Sequence, residues 1–206
     1  MEETDEDLVA RCQDGSVDAF EELVRRYQPR ILGFLDRQVG HREDAEDVTQ
    51  RTFVQAYRSI PRFKQGYRFS PWLFTIARRQ AIDFLRQVGS RRRLEETVEA
   101  NHAEAEVEDP SLLLRQREGV DTLWRWVHST LDERSAGILW LRVQEEMDLT
   151  EIAKVMKLTR THVKVLLHRA RKALARSLPD APPVRAGART VSRPLPSPEP
   201  QLTRET

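Results

Sequence analysis

Cysteine is almost absent from this chain of 206 residues. The single Cys12 excludes an internal disulfide, and with five scattered His it leaves no ligand set for a structural zinc. A reducing cytoplasm is the compartment that fits. Glycine is scarce at eight residues, and none of it builds a phosphate-cradling loop. No apolar run approaches the ~20 residues of a membrane span, and the acidic opening MEETDEDLVA is the reverse of a basic, then greasy, signal peptide. Acids are missing from two long stretches: only Asp83 lies between Arg51 and Arg93, and none lies between Ile152 and Pro179. A nuclease or nucleotide transferase needs clustered carboxylates for metal, which these basic stretches do not supply. No catalytic residue, metal or cofactor is expected.

Charge is present in abundance and is sorted along the chain. The totals, 34 Lys+Arg against 33 Asp+Glu, conceal an alternation of two acidic and two basic blocks. Residues 1 to 50 hold fourteen acids and six bases, 51 to 93 one and eleven, 94 to 133 eleven and three, and 134 to 178 four and ten. Two separate surfaces facing nucleic acid follow from that asymmetry. The first basic block also carries eight of the fourteen aromatics. Cations draw in phosphate and ring faces stack on splayed bases, so the block suits unpaired nucleic acid; a helical core with a basic outer face fits the same composition.

Hydrophobic spacing reads as helix through the first ninety residues. Leu8 and Cys12, then Phe20, Leu23, Val24, Tyr27, Ile31, Leu32 and Leu35, recur at three- and four-residue steps. The first helix should stop at Asp14-Gly15, with Ser16 or Asp18 capping the next. A third should run from about His41 to Ile60, ended by Pro61. PRFKQGYRFSP is expected as an ordered loop, and Ser70-Pro71 as the cap and first turn of a helix whose stripe includes Trp72, Ile76, Ile82 and Leu85. Compact modules with small cores are expected. The apolar pattern fails from Gly89 to Pro110, and residues 94–111 read as a flexible acidic linker. It returns with Leu113, Val120, Leu123, Trp124 and Val127, then Leu131, Ile138, Leu139, Leu141 and Val143. Seven prolines in 179–206 mark a disordered tail.

From Asp148 to Leu178, TEIAKVM, KLT and a long helix from about Arg160 form a helix, a tight turn and a second helix capped by Thr159. Val163, Leu167, Ala170 and Leu174 share a buried stripe. The other side shows Arg160, His162, Lys164, His168, Arg169, Arg171, Lys172 and Arg176, the layout of a recognition helix for a DNA major groove. A solvated basic helix in an ordinary bundle is the plainer reading.

Together the two halves resemble the extracytoplasmic-function sigma factors of bacterial RNA polymerase. The resemblance covers about Asp5 to Ser177 without the linker. DAFEELVRRYQPRILGF, DAEDVTQRTFVQAYRSIPRF and SPWLFTIARRQAIDFLR look like the domain that binds the polymerase clamp and opens the −10 element. LDERSAGILWLRVQEEMDLTEIAKVMKLTRTHVKVLLHRARKAL looks like the −35 reader. The resemblance implies an all-α fold of two small helical domains, 1–93 and 112–178. It implies core RNA polymerase as partner, through the β′ clamp coiled coil and the β flap, together with promoter DNA and an anti-sigma factor.

It also implies residue roles. Asp47, Gln50, Arg51 and Val54 would contact core polymerase, Arg51 standing where an acid is usual. Arg62, Lys64, Tyr67 and Arg68 would contact the −10 single strand, with Phe63, Phe69 or Trp72 lining or supporting a pocket for a flipped base; Trp72 and Phe74 fit a purely structural core role as well. Arg79 stands where Asn often meets that base. Arg160, His162, Lys164, Val165, His168, Arg169 and Lys172 would face the −35 duplex. Lys157 departs from a usual Gly, Thr161-His162 from Gly-Thr and Val165-Leu166 from Ser-Arg. The rival from another class is a helix-turn-helix regulator that binds duplex without polymerase, which leaves the aromatic loop unexplained.

Overall fold

The computed structural model describes residues 3–98 and 118–178, with backbone alone at Arg37, 91–98 and 118–122. Among the described residues there are eight α-helices and no strand: α1 (Asp5–Gln13), α2 (Val17–Val39), α3 (Arg42–Ser59), α4 (Phe69–Val98), α5 (Glu118–Thr130), α6 (Glu133–Val143), α7 (Leu149–Met156) and α8 (Arg160–Arg176). No helix among them is long and apolar enough to cross a membrane. Most of the expected linker and the proline-rich tail lie outside the described residues.

Local chemistry sets most of the boundaries. Thr4 and Asp7 close a capping box on α1, and Ser16 caps α2 through the Ala19 N–H. Gly40 ends α2 with φ 87°, a left-handed turn for which glycine is suited. Pro29 lies inside α2 without breaking it. A 3₁₀ turn at Ile60–Arg62, with Pro61 in it, closes α3.

α4 departs from expectation in three ways. It starts at Phe69, so Ser70 lies inside the helix and its hydroxyl is used elsewhere. Its buried face is Phe69, Leu73, Phe74, Ala77 and Ala81, with Trp72 and Ile76 as half-buried flanks and Leu85 exposed. The helix also runs past Gly89 to Val98, because a glycine costs only about 1 kcal/mol and good helix formers follow it without a proline.

α1–α4 form one helical unit and α5–α8 another. Rather than closing separate small cores, they share one continuous buried cluster from Leu8 to Leu167. α7 packs along α4 and α6 against α2. Gly137 of α6 sits where the Phe34 ring of α2 and the Met156 methyl of α7 converge, and Phe34 meets Phe74 edge-on at 5.1 Å.

In the second unit Asp148 accepts the Thr150 and Glu151 N–H groups at 2.6 and 2.8 Å, while Glu151 accepts the Asp148 N–H at 2.8 Å. Lys157 makes the turn with φ 50°. Thr159 then caps α8, whose Val163, Leu167 and Ala170 are buried as the spacing predicts.

The two acidic caps make this unit sensitive to acid. The Glu151 N–H, then that of Thr150 and the charges of Arg160 and Arg68, hold the Asp148 carboxyl below its ordinary 3.8. Burial works to raise Asp132, but its hydrogen bonds from Ser135 and Arg134 hold it below 3.8 as well. Folded values below unfolded ones stabilise the protein above about pH 4, and that contribution disappears as the pH falls through the folded values. Asp148→Asn keeps a capping oxygen but does not titrate. Its thermal midpoint, read by circular dichroism, should lie below wild type at neutral pH, and the gap should narrow as the pH falls below the ordinary 3.8 and through the folded value.

Candidate nucleic-acid interface

The loop between the 3₁₀ turn and α4 is built on an aromatic base. Phe63, Phe69 and Trp72 pack mutually, with ring centroids 5.2 to 6.2 Å apart, and Tyr27 meets Phe69 edge-on at 5.3 Å. Phe69 is 1% exposed and Phe63 is buried, so both support the loop from beneath and neither is open to a base. Trp72 is half-buried at the margin, whereas Phe74 is fully core. Gln13 of α1 fastens the near end of the loop by donating to the Ile60 and Phe63 carbonyls at 3.0 and 2.8 Å. Glu6 fastens the far end by accepting the Phe69 N–H at 3.2 Å. Neither anchor is visible in the local pattern, because each partner lies about fifty or more residues away along the chain.

Upon this base Arg62, Lys64, Tyr67 and Arg68 are exposed, Tyr67 at 58%. Arg79 is exposed on α4. A buried aromatic floor carrying exposed cations and an exposed phenol ring suits a single strand, with charge for the backbone and a ring face for a base.

Two of these side chains are already engaged from the second unit. Arg68 Nη1 donates to both carboxylate oxygens of Glu151 at 3.1 Å, and Lys154 Nζ stands 5.7 Å over the Tyr67 ring. Both partners belong to α7, the first helix of the helix-turn-helix. Beside them Arg78 donates to the Met156 carbonyl at 3.4 Å. Its guanidinium is pushed below the ordinary value, first by burial and then by Arg134.

On α3, Gln50, Arg51 and Val54 are exposed and Asp47 is half-buried, spaced to share one face. Val48, Thr52 and Phe53 face the core. Arg51 Nη2 pairs with Asp47 at 2.6 Å, so one of the four expected polymerase contacts ties up the carboxylate of another. On α8, Arg160, His162, Lys164, Val165, His168, Arg169 and Lys172 are all exposed, Val165 at 41%. Leu166, by contrast, packs against the core, so of the adjacent apolar pair on α8 only Val165 is exposed.

A helical unit with an exposed cationic loop, followed by a helix-turn-helix, is the architecture of a transcription-initiation subunit. The family model for Sigma-70 region 2 matches residues 23–91, and that for Sigma-70 region 4 matches 127–174. The RNA polymerase sigma-H factor of Pseudomonas aeruginosa is 32% identical over 187 residues, covering 86% of this chain and 95% of that protein. The ECF RNA polymerase sigma factor BldN of Streptomyces coelicolor is 36% identical over 180 residues; the match covers 84% of this chain and 66% of BldN, about two thirds of its length. The structure of CnrH in complex with the cytosolic domain of CnrY aligns with a TM-score of 0.56 at 26% identity, over 85% of this chain and 97% of CnrH. The chain is a sigma-70-type, promoter-recognising sigma factor of RNA polymerase. Within that class it belongs to the extracytoplasmic-function sigma factors.

Proposed function

We propose that this sigma factor divides its work among three surfaces. The α3 face of Asp47, Gln50, Arg51 and Val54 docks on the clamp coiled coil of core polymerase. The loop of Arg62, Lys64, Tyr67 and Arg68, with Arg79, holds the non-template strand of the −10 element open. The α8 face from Arg160 to Lys172 enters the −35 major groove, its Arg and Lys bonding guanine edges or phosphates. The observation that carries this reading is the loop itself. Two of its rings, Phe63 and Phe69, are sunk into the core as a floor while Arg62, Lys64, Tyr67 and Arg68 lie exposed above them, an arrangement a duplex-binding regulator does not need.

The protein lowers the cost of opening DNA and performs no chemistry of its own. Unstacking a base costs a few kcal/mol, which stacking and phosphate contacts at the loop offset. Its place of work is the cytoplasm, with the polymerase. We infer an anti-sigma partner as well, because CnrH is solved with the cytosolic domain of CnrY and Val165 leaves an apolar spot on an otherwise cationic helix.

Transcription in vitro with bacterial core polymerase on a genomic fragment library tests this reading. Start sites that depend on the added protein are expected. Should none appear while the protein still binds duplex DNA alone, the division of work among these three surfaces fails.

A further inference from the structure

Charge dominates the outer side of α8, yet a residue at its centre carries none. Val163, Leu167 and Ala170 form the buried stripe of this helix, and half-buried Leu166 packs beside them. At about 3.6 residues per turn, the line opposite that stripe passes within about 30° of Thr161, Val165 and Lys172. Lys164 and Arg171 stand about 90° or more to one side of the line and His162 about 70° to the other, all of them exposed. A recognition helix enters the major groove with its N-terminal residues against the bases, so its central line lies on the groove floor and its flanks face the two backbones. Thr161 and Val165 therefore meet base edges, while Lys164, Arg171 and His162 meet phosphate. Lys172, about two turns beyond Val165, lies towards the end that leaves the groove.

The rotation of α8 is fixed. Thr159 holds the first turn, its hydroxyl accepting the His162 N–H at 3.2 Å, and Leu166 and Leu167 hold the next against the core. Val165 cannot turn aside and is 41% exposed. Being β-branched in a helix, it has one strongly preferred rotamer, which presets the position of its two methyls. Base edges in the major groove present donors and acceptors, together with one apolar feature, the 5-methyl group of thymine. Valine can bond none of the polar groups, and where it covers them it strips their water without replacing it, which weakens binding. Against the thymine methyl no polar group is lost, and apolar surface on both sides leaves water.

We propose that Val165 reads the 5-methyl group of a thymine in the −35 element, so that the preference at that base pair comes from an apolar contact rather than from a cation bonded to guanine. The inference rests on the assignment of the α8 face to the −35 duplex. One buried methyl contributes about fourfold in affinity.

The test uses the full chain bound to core polymerase, on a promoter recovered from the genomic fragment library. Each thymine of the −35 element, on either strand, is replaced in turn by deoxyuridine, which keeps the base pair and removes only the methyl. Competition binding of the holoenzyme should weaken about fourfold at one position. Val165→Ala changes an exposed helical position, so its far-UV circular dichroism should match wild type. It should bind the thymine promoter more weakly than wild type does and should no longer distinguish thymine from uracil at that position, the non-additivity of a direct contact. Recovered promoters whose −35 elements share no A·T pair, a wild type indifferent to every uracil, or a uracil effect undiminished in Val165→Ala overturns the contact. Lys164→Ala combined with Arg171→Ala distinguishes that failure from failure of the α8 assignment. This double variant should bind all −35 sequences more weakly and with a shallower salt dependence. If it does so while no uracil matters, the methyl contact alone falls; if its salt dependence equals wild type, the −35 face is misplaced and the methyl contact falls with it.

Discussion

Phe69→Ala should destabilise this sigma factor by about 3–5 kcal/mol, whereas Tyr67→Ala, two residues earlier, should leave its stability within about 0.5 kcal/mol and cripple promoter opening. The contrast follows from where the rings lie. Phe69 is 1% exposed and touches Tyr27, Phe63 and Trp72, so truncation leaves a cavity beneath the loop and across the joint between α2 and α4. Against a typical folding free energy of 5–15 kcal/mol, such a loss removes a large share of the native margin. Tyr67 has no core to lose. Its cost appears only when a base must be held out of the stack, where one stacking contact contributes about 1–3 kcal/mol, or about 5- to 150-fold in open-complex occupancy. Urea melts and permanganate reactivity of promoter thymines measure the two effects. Core polymerase binding should be unchanged for Tyr67→Ala. A Phe69→Ala protein as stable as wild type would mean that the ring is not part of the floor.

Those two aromatics also mark how far the fold and site were legible beforehand. Helix ends written in short-range chemistry were readable: Ser16 and Thr159 as caps, Pro61 as a stop, and Val163, Leu167 and Ala170 as a stripe. The α8 face could be laid out for the same reason, since helical period alone separates it from the buried side. Within the loop, composition identified a cationic, aromatic segment but could not say which rings point inward. That depends on α1 and α2, whose Gln13 and Tyr27 hold the segment from far away in sequence. Ser70-Pro71 misled because a serine before a proline is a common helix start. Here the helix begins earlier, and the Ser70 hydroxyl serves a glutamate 75 residues on. Leu85 fits the 3.6-residue period and yet faces solvent, since no element among the described residues covers that turn of α4. Glu145 and Arg30 lie 115 residues apart, on two units expected to be independent, and no local pattern couples them. Joined cores and the covering of Arg68 by Glu151 are tertiary facts of the same kind.

Asp47→Arg should abolish association with core polymerase while leaving the fold intact. Asp47 is half-buried on the outer face of α3, and its paired partner is Arg51, one turn on. Reversal sets two guanidiniums against each other at i,i+4, which costs the helix only a few tenths of a kcal/mol. At an interface centre, truncating a hot-spot residue costs about 2 kcal/mol or more, roughly 30-fold in affinity, and a reversed charge adds repulsion to that loss. The Asp47–Arg51 pair makes a second, opposite expectation. Because Arg51 neutralises the carboxylate that would face the polymerase, Arg51→Gln should free Asp47 and tighten core binding by severalfold, more so at low salt. Fluorescence anisotropy of labelled protein against core polymerase, at two ionic strengths, reads both changes. If Asp47→Arg binds as wild type does, the docking face lies elsewhere on the N-terminal unit. If Arg51→Gln weakens binding instead, the arginine itself contacts the polymerase and the ion pair orients it, so that the departure from the family pattern would be a substitute contact rather than an obstruction.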